Sequence, residues 1–198
     1  MELICVRHGR TAWNAEMRFQ GHTDVPLDDE GRAQATALAA LLAAERIDVA
    51  VASDLSRAAE TARIVLGSRD VPLRLDPDWR EMQFGEWEGL TWAQIVERNP
   101  HLAGKITGVR DYNHSGETYA ALTARVTRAK DRVVAETPPD GTALVATHAG
   151  PLHALLSVLL GDAAPKVRLS TASVTRFRLH DGVWDLTGLN VTALQARG

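Results

Sequence analysis

Several things are scarce in this sequence, and each shortage narrows the chemistry open to it. There is one cysteine, Cys5, among 198 residues. An internal disulfide is therefore impossible, and the setting Ile4-Cys5-Val6 marks the thiol as a small buried hydrophobe. With a single thiol and no histidines paired at ligand spacing, no zinc-type set can be read, and no metal or cofactor is expected. Positive charge is not in excess: the formal net charge is −3 at pH 7, so there is no broad basic field to gather nucleic acid or an anionic membrane. No apolar run approaches the roughly 20 residues that cross a bilayer. The N-terminus lacks the basic and then apolar pattern of a secretion signal, which makes a cytoplasmic location the expectation. Neither a GxxxxGK[ST] loop nor a GxGxxG following a strand occurs, so a nucleotide-binding reading has no support. Any anionic ligand must then be held by a local cluster of cations.

What is present is ordinary globular material. Apolar residues make up 45% and charged residues 24%, enough for a core and, at this length, for a single domain over 1–198. Strands are predicted at 2–7 (ELICVR), 49–53 (VAVAS), 71–76 (VPLRLD) and 143–147 (ALVAT), three of them continuous apolar runs suited to burial on both faces. Asp28 is the predicted N-cap of a helix over 28–45, with Asp29 and Glu30 at the positive end of its dipole. Further helices are expected from Ser56 to Gly67, over 91–99 until Pro100, from Glu117 to Glu136, and over 151–161 with Pro151 in the first turn. Asp181-Gly182 between two alternating runs, 173–179 and 183–189, signals a hairpin. Residues 100–116 lack periodicity and read as a long loop, within a possible lid or specificity segment over 80–118. Strands alternating with helices imply an α/β sandwich around a mostly parallel sheet.

Three strands end on reactive residues. The first closes on Arg7-His8, the second leads to Arg57, and the strand 143–147 delivers His148. In open α/β sheets, ligands sit beyond the carboxyl ends of the strands, so these groups can converge although they are far apart in sequence. Two guanidinium forks and two imidazoles suit the oxygens of a phosphate. Asn14 offers a further amide donor, and Gly9 would let a ligand approach the backbone.

The stretches VRHGRTAWN, QGHTDVPLDDEG, SDLSRAAETA, WREMQFGEWEGL and VATHAG, in this order, resemble the histidine phosphatase superfamily, the phosphoglycerate mutase-like enzymes. The resemblance spans nearly the whole chain and implies a three-layer α/β/α sandwich around a mixed, mostly parallel sheet. It implies that His8 is a nucleophile that becomes phosphorylated. Arg7, Arg57 and His148 would clamp the phosphoryl oxygens with help from Asn14, and Glu81 would serve as proton donor and then as base. WREMQFGEWEGL is closer to the phosphatase branch. The expected activity is metal-independent hydrolysis of a small phosphorylated metabolite, with a phosphoglycerate mutase as the alternative and a non-catalytic phosphoester- or protein-binding module ranked below both. The sequence departs from the family pattern at Arg10, which adds a cation that could read a second acidic group, and at Ala149, which adds one methyl beside His148.

Plainer readings stand beside these. Arg7 could bond carbonyls at a sheet end, and His8 could be a satisfied buried imidazole. Asn14 could cap a turn. Gln20, Gly21 and His22 could reach substrate or merely shape a turn. Glu86 and Glu88 read as solvated or loop-capping. His153 could support the site indirectly, while His101, His114 and His180 read as surface residues. Trp79, Trp87, Trp92 and Trp184 read as packing. Lys105 and Arg110 are solvated by default. Oligomeric state is not legible.

Overall fold

The computed structural model describes residues 1–104 and 115–193. Among the described residues six strands form one sheet: β1 (Glu2–Arg7), β2 (Val49–Ala52), β3 (Leu73–Leu75), β4 (Thr142–Thr147), β5 (Ser173–His180) and β6 (Val183–Thr192). They lie in the order β3-β2-β4-β1-β5-β6. The pairings among β3, β2, β4 and β1 are parallel, and β5 and β6 add antiparallel to β1. The sheet is mixed and mostly parallel, as the sequence implied.

The central strands are apolar on both faces because both are covered. Leu3, Cys5, Val51, Ala143 and Val145 pack with Leu122, Val126, Ala129 and Val133 of α5 (Tyr119–Glu136) and with Leu152, Leu155 and Leu156 of α6 (Ala149–Leu160). The alternate residues Ile4, Val6, Ala50 and Leu144 pack with Leu38 of α2 (Asp29–Leu41) and with Val65 and Leu66 of α3 (Ser56–Leu66). Two helical layers therefore enclose the sheet, giving the α/β/α sandwich. Each fully buried leucine or valine side chain contributes roughly 1.5–3 kcal/mol relative to exposure. Burial of Cys5 pushes its thiol far up, so it stays protonated and inert.

Local signals act as expected at most boundaries. The Asp28 carboxylate accepts from Gly31 N at the start of α2. Some boundaries shift. The predicted strand 71–76 pairs only over Leu73–Leu75, because it lies at the sheet edge and its one neighbour, β2, offers Ala50–Ala52 for pairing. The predicted helix from Glu117 starts at Tyr119, since Thr118 takes the cap by accepting from Ala121 N. The last helix starts two residues before Pro151, directly after His148. Two short helices, α1 (Ala12–Ala15) and α4 (Trp92–Arg98), complete the set. Within 80–118, the described residues form 3₁₀ turns, α4 and the approach to α5. Lys105, Arg110 and His114 lie outside the described residues. Phe19, Phe84, Trp87 and Trp92 stack edge-on in a cluster, the packing role expected for these tryptophans. Among the described residues, no helix is long and apolar enough to cross a membrane.

Candidate active site

The site lies at the carboxyl ends of the parallel strands. The backbone of His8 is pinned between neighbours: its N–H donates to Thr147 O (3.0 Å) and its carbonyl accepts from Ala172 N (3.0 Å). The next N–H, of Gly9, donates to Thr61 Oγ1 (3.1 Å), and Thr61 in turn donates to Arg57 O (2.7 Å). These bonds tie β1 to α3 and fix how the first imidazole faces Arg57. Gly9 is required for a reason the sequence did not show. A Cβ there would collide with the Gly31 carbonyl, so the absent side chain serves backbone-to-backbone packing against α2 rather than ligand approach.

His8 and His148 are both buried, with ring centroids 5.0 Å apart and planes tilted by 57°. Their tautomers follow from their partners. His8 Nδ1 lies 2.7 Å from Gly9 O; a carbonyl only accepts, so Nδ1 carries the hydrogen and Nε2 of the neutral ring keeps its lone pair. His148 is the reverse. Its Nδ1 accepts from Arg57 Nε (3.2 Å), so Nε2 carries the hydrogen, and this buried donor has no acceptor among the described residues. Burial, then the Arg57 and Arg7 charges, hold His8 well below the ordinary imidazole value despite the Gly9 carbonyl. Burial, Arg57, His8 and Arg7 do the same to His148. Both rings are neutral at neutral pH. A lone pair on one ring and a hydrogen-bond donor on the other are thus presented side by side.

Arg57 is completely buried, and its three donor nitrogens go to His148 Nδ1, Thr23 O (3.0 Å) and Gly21 O (2.8 Å). None of these acceptors is charged. Burial lowers its pKa to about 10, with Glu81, Asp24 and Glu88 opposing, so it remains a cation. Arg7 donates to Leu169 O (2.5 Å), and its Nε is buried without a partner among the described residues. Burial lowers its pKa as well, with Arg168 contributing. His153 Nε2 donates to Val167 O (2.8 Å), steadying the segment that carries Leu169 and so supporting Arg7 at one remove.

Glu81 is half-buried opposite this cluster. Its Oε1 accepts from Met82 N (2.8 Å) and from Gly150 N (2.9 Å) in the first turn of α6, so the carboxyl group is anchored by one oxygen to a helix N-terminus. Ala149, also in that turn, adds only its methyl beside His148.

The remaining predicted residues divide. Gln20 is buried and accepts from Thr11 Oγ1 (3.0 Å), while Gly21 sits at a φ of 54° with its carbonyl on Arg57; both shape the turn that holds Arg57. Asn14 closes a capping box with Thr11 at the start of α1, accepting from Thr11 N and Oγ1 (both 3.1 Å). This is the capping role, with its amide nitrogen left over. Arg10 is paired to Asp28 (2.8 Å), so much of its charge is already answered. Glu88 is loop-capping, as read: it accepts from His22 N, Thr23 N, Thr23 Oγ1 and Phe84 N. Sequence reading missed Thr61, Thr147, Glu117, Arg125 and Arg168. For Arg125 a signal existed, because it falls among Leu122, Val126, Ala129 and Val133 on the buried stripe of α5, where a charge needs a reason. Among the described residues, no group of three His, Cys, Asp or Glu side chains could hold a metal ion.

An α/β/α sandwich presenting two neutral imidazoles of opposite tautomer, one buried and one part-buried arginine and a facing carboxyl near its strand ends defines a phosphoryl-handling class. The chain belongs to the histidine phosphatase superfamily (branch 1), which matches residues 3–192. It is similar to phosphoglycerate mutase-like protein 4 of Arabidopsis thaliana, 34% identical over all of this chain and 90% of that protein. It is 33% identical to the adenosylcobalamin/α-ribazole phosphatase of Salmonella typhimurium, over 93% of this chain and 88% of that one. Among solved structures, a mycobacterial glucosyl-3-phosphoglycerate phosphatase in complex with VO3 superimposes with a TM-score of 0.87 at 31% identity, covering 96% of this chain and 99% of that chain.

Proposed function

We propose that this protein is a metal-independent phosphomonoesterase of small phosphorylated metabolites that works through phosphohistidine at position 8. The observation that carries the reading is the pairing of tautomers: His8 Nε2 holds a lone pair, while the buried Nε2–H of His148 beside it lacks an acceptor among the described residues. In the first step His8 Nε2 forms a bond to phosphorus as the ester P–O bond breaks, and the leaving oxygen takes the proton of Glu81. In the second, Glu81 takes a proton from water, the water oxygen bonds to phosphorus and the N–P bond breaks. Atoms and charge balance across the two displacements, and the residues end as they began.

Arg7, Arg57 and His148 Nε2 face charge that spreads over the equatorial oxygens of the transferring group. Because these donors are held by hydrogen bonds before substrate arrives, they need little reorganisation during reaction. Opposite unit charges about 4 Å apart gain roughly 4 kcal/mol at an effective dielectric near 20, so a dianion between two guanidiniums is well held. The relatives are named for different leaving groups and share this family, which supports a site that reads mainly the phosphoryl group. The test is a phosphoester panel with two readouts, free phosphate and isomerised phosphoglycerate. Phosphate release that disappears in His8→Ala, with an acid-labile label on His8 of the wild type, is the expected result. Isomerisation exceeding hydrolysis would make the protein a mutase, and equal turnover in wild type and His8→Ala would end the proposal.

A further inference from the structure

Arg125 lies outside the cluster described above, yet it is buried inside a core helix face. Desolvating a guanidinium costs several kcal/mol unless good geometry and full hydrogen bonding compensate. Here every donor is matched. Nε and one Nη2 hydrogen go to the two oxygens of Glu117 (2.7 and 2.8 Å). Nη1 serves Asp78 O (2.8 Å) and Arg80 O (2.6 Å), and Nη2 also serves Glu81 O (2.8 Å). All five N–H groups of the fork are used.

The three carbonyls belong to the stretch that carries Glu81. The carbonyl between them, of Trp79, is taken by Thr147 Oγ1 (2.7 Å) from the end of β4, and His22 Nε2 shares Glu81 O (3.0 Å). Four consecutive carbonyls, 78 to 81, are thus held by side chains where helices and strands would use a backbone ladder. The N–H groups of Trp79 and Arg80 close a short 3₁₀ turn on Asp76 O and Pro77 O (both 3.0 Å), while the carbonyls, which must also be paired, depend on those side chains. The Glu81 carboxyl hangs from this backbone while its Oε1 is fixed to α6. A displacement of the 78–81 carbonyls moves the second carboxyl oxygen relative to His8.

We infer that Arg125, locked by Glu117, is a positioning residue that sets the Glu81 carboxyl against the leaving oxygen. This rests on the reading of Glu81 as the acid. It separates Arg125 from a residue that only stabilises the fold, because protonation matters in proportion to how poor the leaving group is. Alkyl phosphates need the proton, whereas p-nitrophenyl phosphate departs as a stable anion without it.

The experiment compares kcat/KM for both ester types in wild type, Arg125→Lys, Glu117→Gln and Glu81→Gln. Lysine keeps the charge and loses the fork. We expect Arg125→Lys to lose about 10²-fold in kcat/KM on an alkyl phosphate and under about 3-fold on the aryl ester, because the later step, in which Glu81 activates water, is common to both and does not enter this ratio. Glu117→Gln should shift the same ratio less. Should Arg125→Lys not fold, as judged by thermal unfolding, the ratio in Glu117→Gln decides. Equal losses on both esters, or no loss on either, overturn the inference. If Glu81→Gln itself shows no leaving-group dependence, the reading of Glu81 fails first; if Glu81→Gln shows it and the other two variants do not, only the positioning role falls.

Discussion

Arg57 and Arg125 are both buried arginines a short way from one site, and their surroundings are opposite. Arg125 meets a carboxylate and three carbonyls and is saturated. Arg57 meets two carbonyls and an imidazole nitrogen, has Arg7 as a like-charged neighbour, and is pushed down to about 10 by burial. The first arrangement is what stability favours, a cation whose desolvation is offset by partners. The second holds charge in place at a cost, so that an incoming anion finds cations already stripped of water. The wall of His8, Arg57 and His148 stands on strand ends and helix starts; the wall of Glu81 stands on irregular backbone held by side chains. Regular elements carry the strained charge, and paired side chains shape the acid.

Substitution at Arg57 tests this contrast most severely. Arg57→Met should cut phosphate release by about 10³-fold or more, as loss of a buried transition-state donor does, while the unfolding midpoint moves little, because relief of a desolvated, like-charged group offsets the loss of its bonds to Gly21 O, Thr23 O and His148 Nδ1. A marked loss of stability would erase the distinction between the walls. The pH dependence of stability comes next. His8 and His148 resist protonation in the folded state, whereas unfolded rings take up protons near 6.5. Below that value the unfolded chain binds more protons, so stability is complete above about pH 6.5 and is lost as pH falls. The slope should approach about 1.4 kcal/mol per pH unit for each ring. Denaturant midpoints between pH 7 and 5 would show it, and their flatness across that window would refute the burial of neutral rings.

Smaller effects sharpen the same comparison. Glu88→Gln puts an amide nitrogen where one oxygen now accepts from Thr23, so the turn carrying Gly21 and Thr23 should loosen. We expect a loss of about 1–2 kcal/mol in equilibrium unfolding and weaker substrate binding, because both carbonyls on Arg57 come from that turn. Gly21 cannot compensate by substitution: at its positive φ a side chain would run into Glu88. Arg80→Ala removes a fork-to-fork pair with Asp54 (2.7 and 2.5 Å) that is part-exposed. Its cost should stay within about 1 kcal/mol, with phosphate release nearly unchanged. A loss as large as that from Arg57 would show that the acid wall depends on its surface pair.

The parts of the fold that were legible in sequence are those set by local chemistry. Apolar runs identified β1, β2 and β4 because strands covered on both faces need no alternation. Asp28 marked the start of α2 and Asp181-Gly182 the β5–β6 turn, since caps and turns depend on a few adjacent residues. Edges blurred: β3 contracted because an edge strand pairs only where its neighbour reaches. Of the site residues named in advance, Arg7, His8, Arg57 and His148 do lie at strand ends and helix starts, but their individual settings were hidden. Asn14 and Arg10 were read toward the ligand, and in the structure they cap α1 and pair with Asp28, contacts made possible by chain segments that fold back. Arg125 went unremarked because its partners lie in residues 78–81 and 117, and only packing of α5 against that stretch unites them.

The order of apolar runs, caps and turns was enough to determine a layered α/β chain with cations at the ends of its strands, because those preferences act within a few residues. Which ring keeps a lone pair, which guanidinium is left without a counter-charge and what holds the Glu81 backbone were decided only by tertiary structure. Protonation and hydrogen-bond partners depend on burial and on neighbours distant in sequence, and folding alone brings those together.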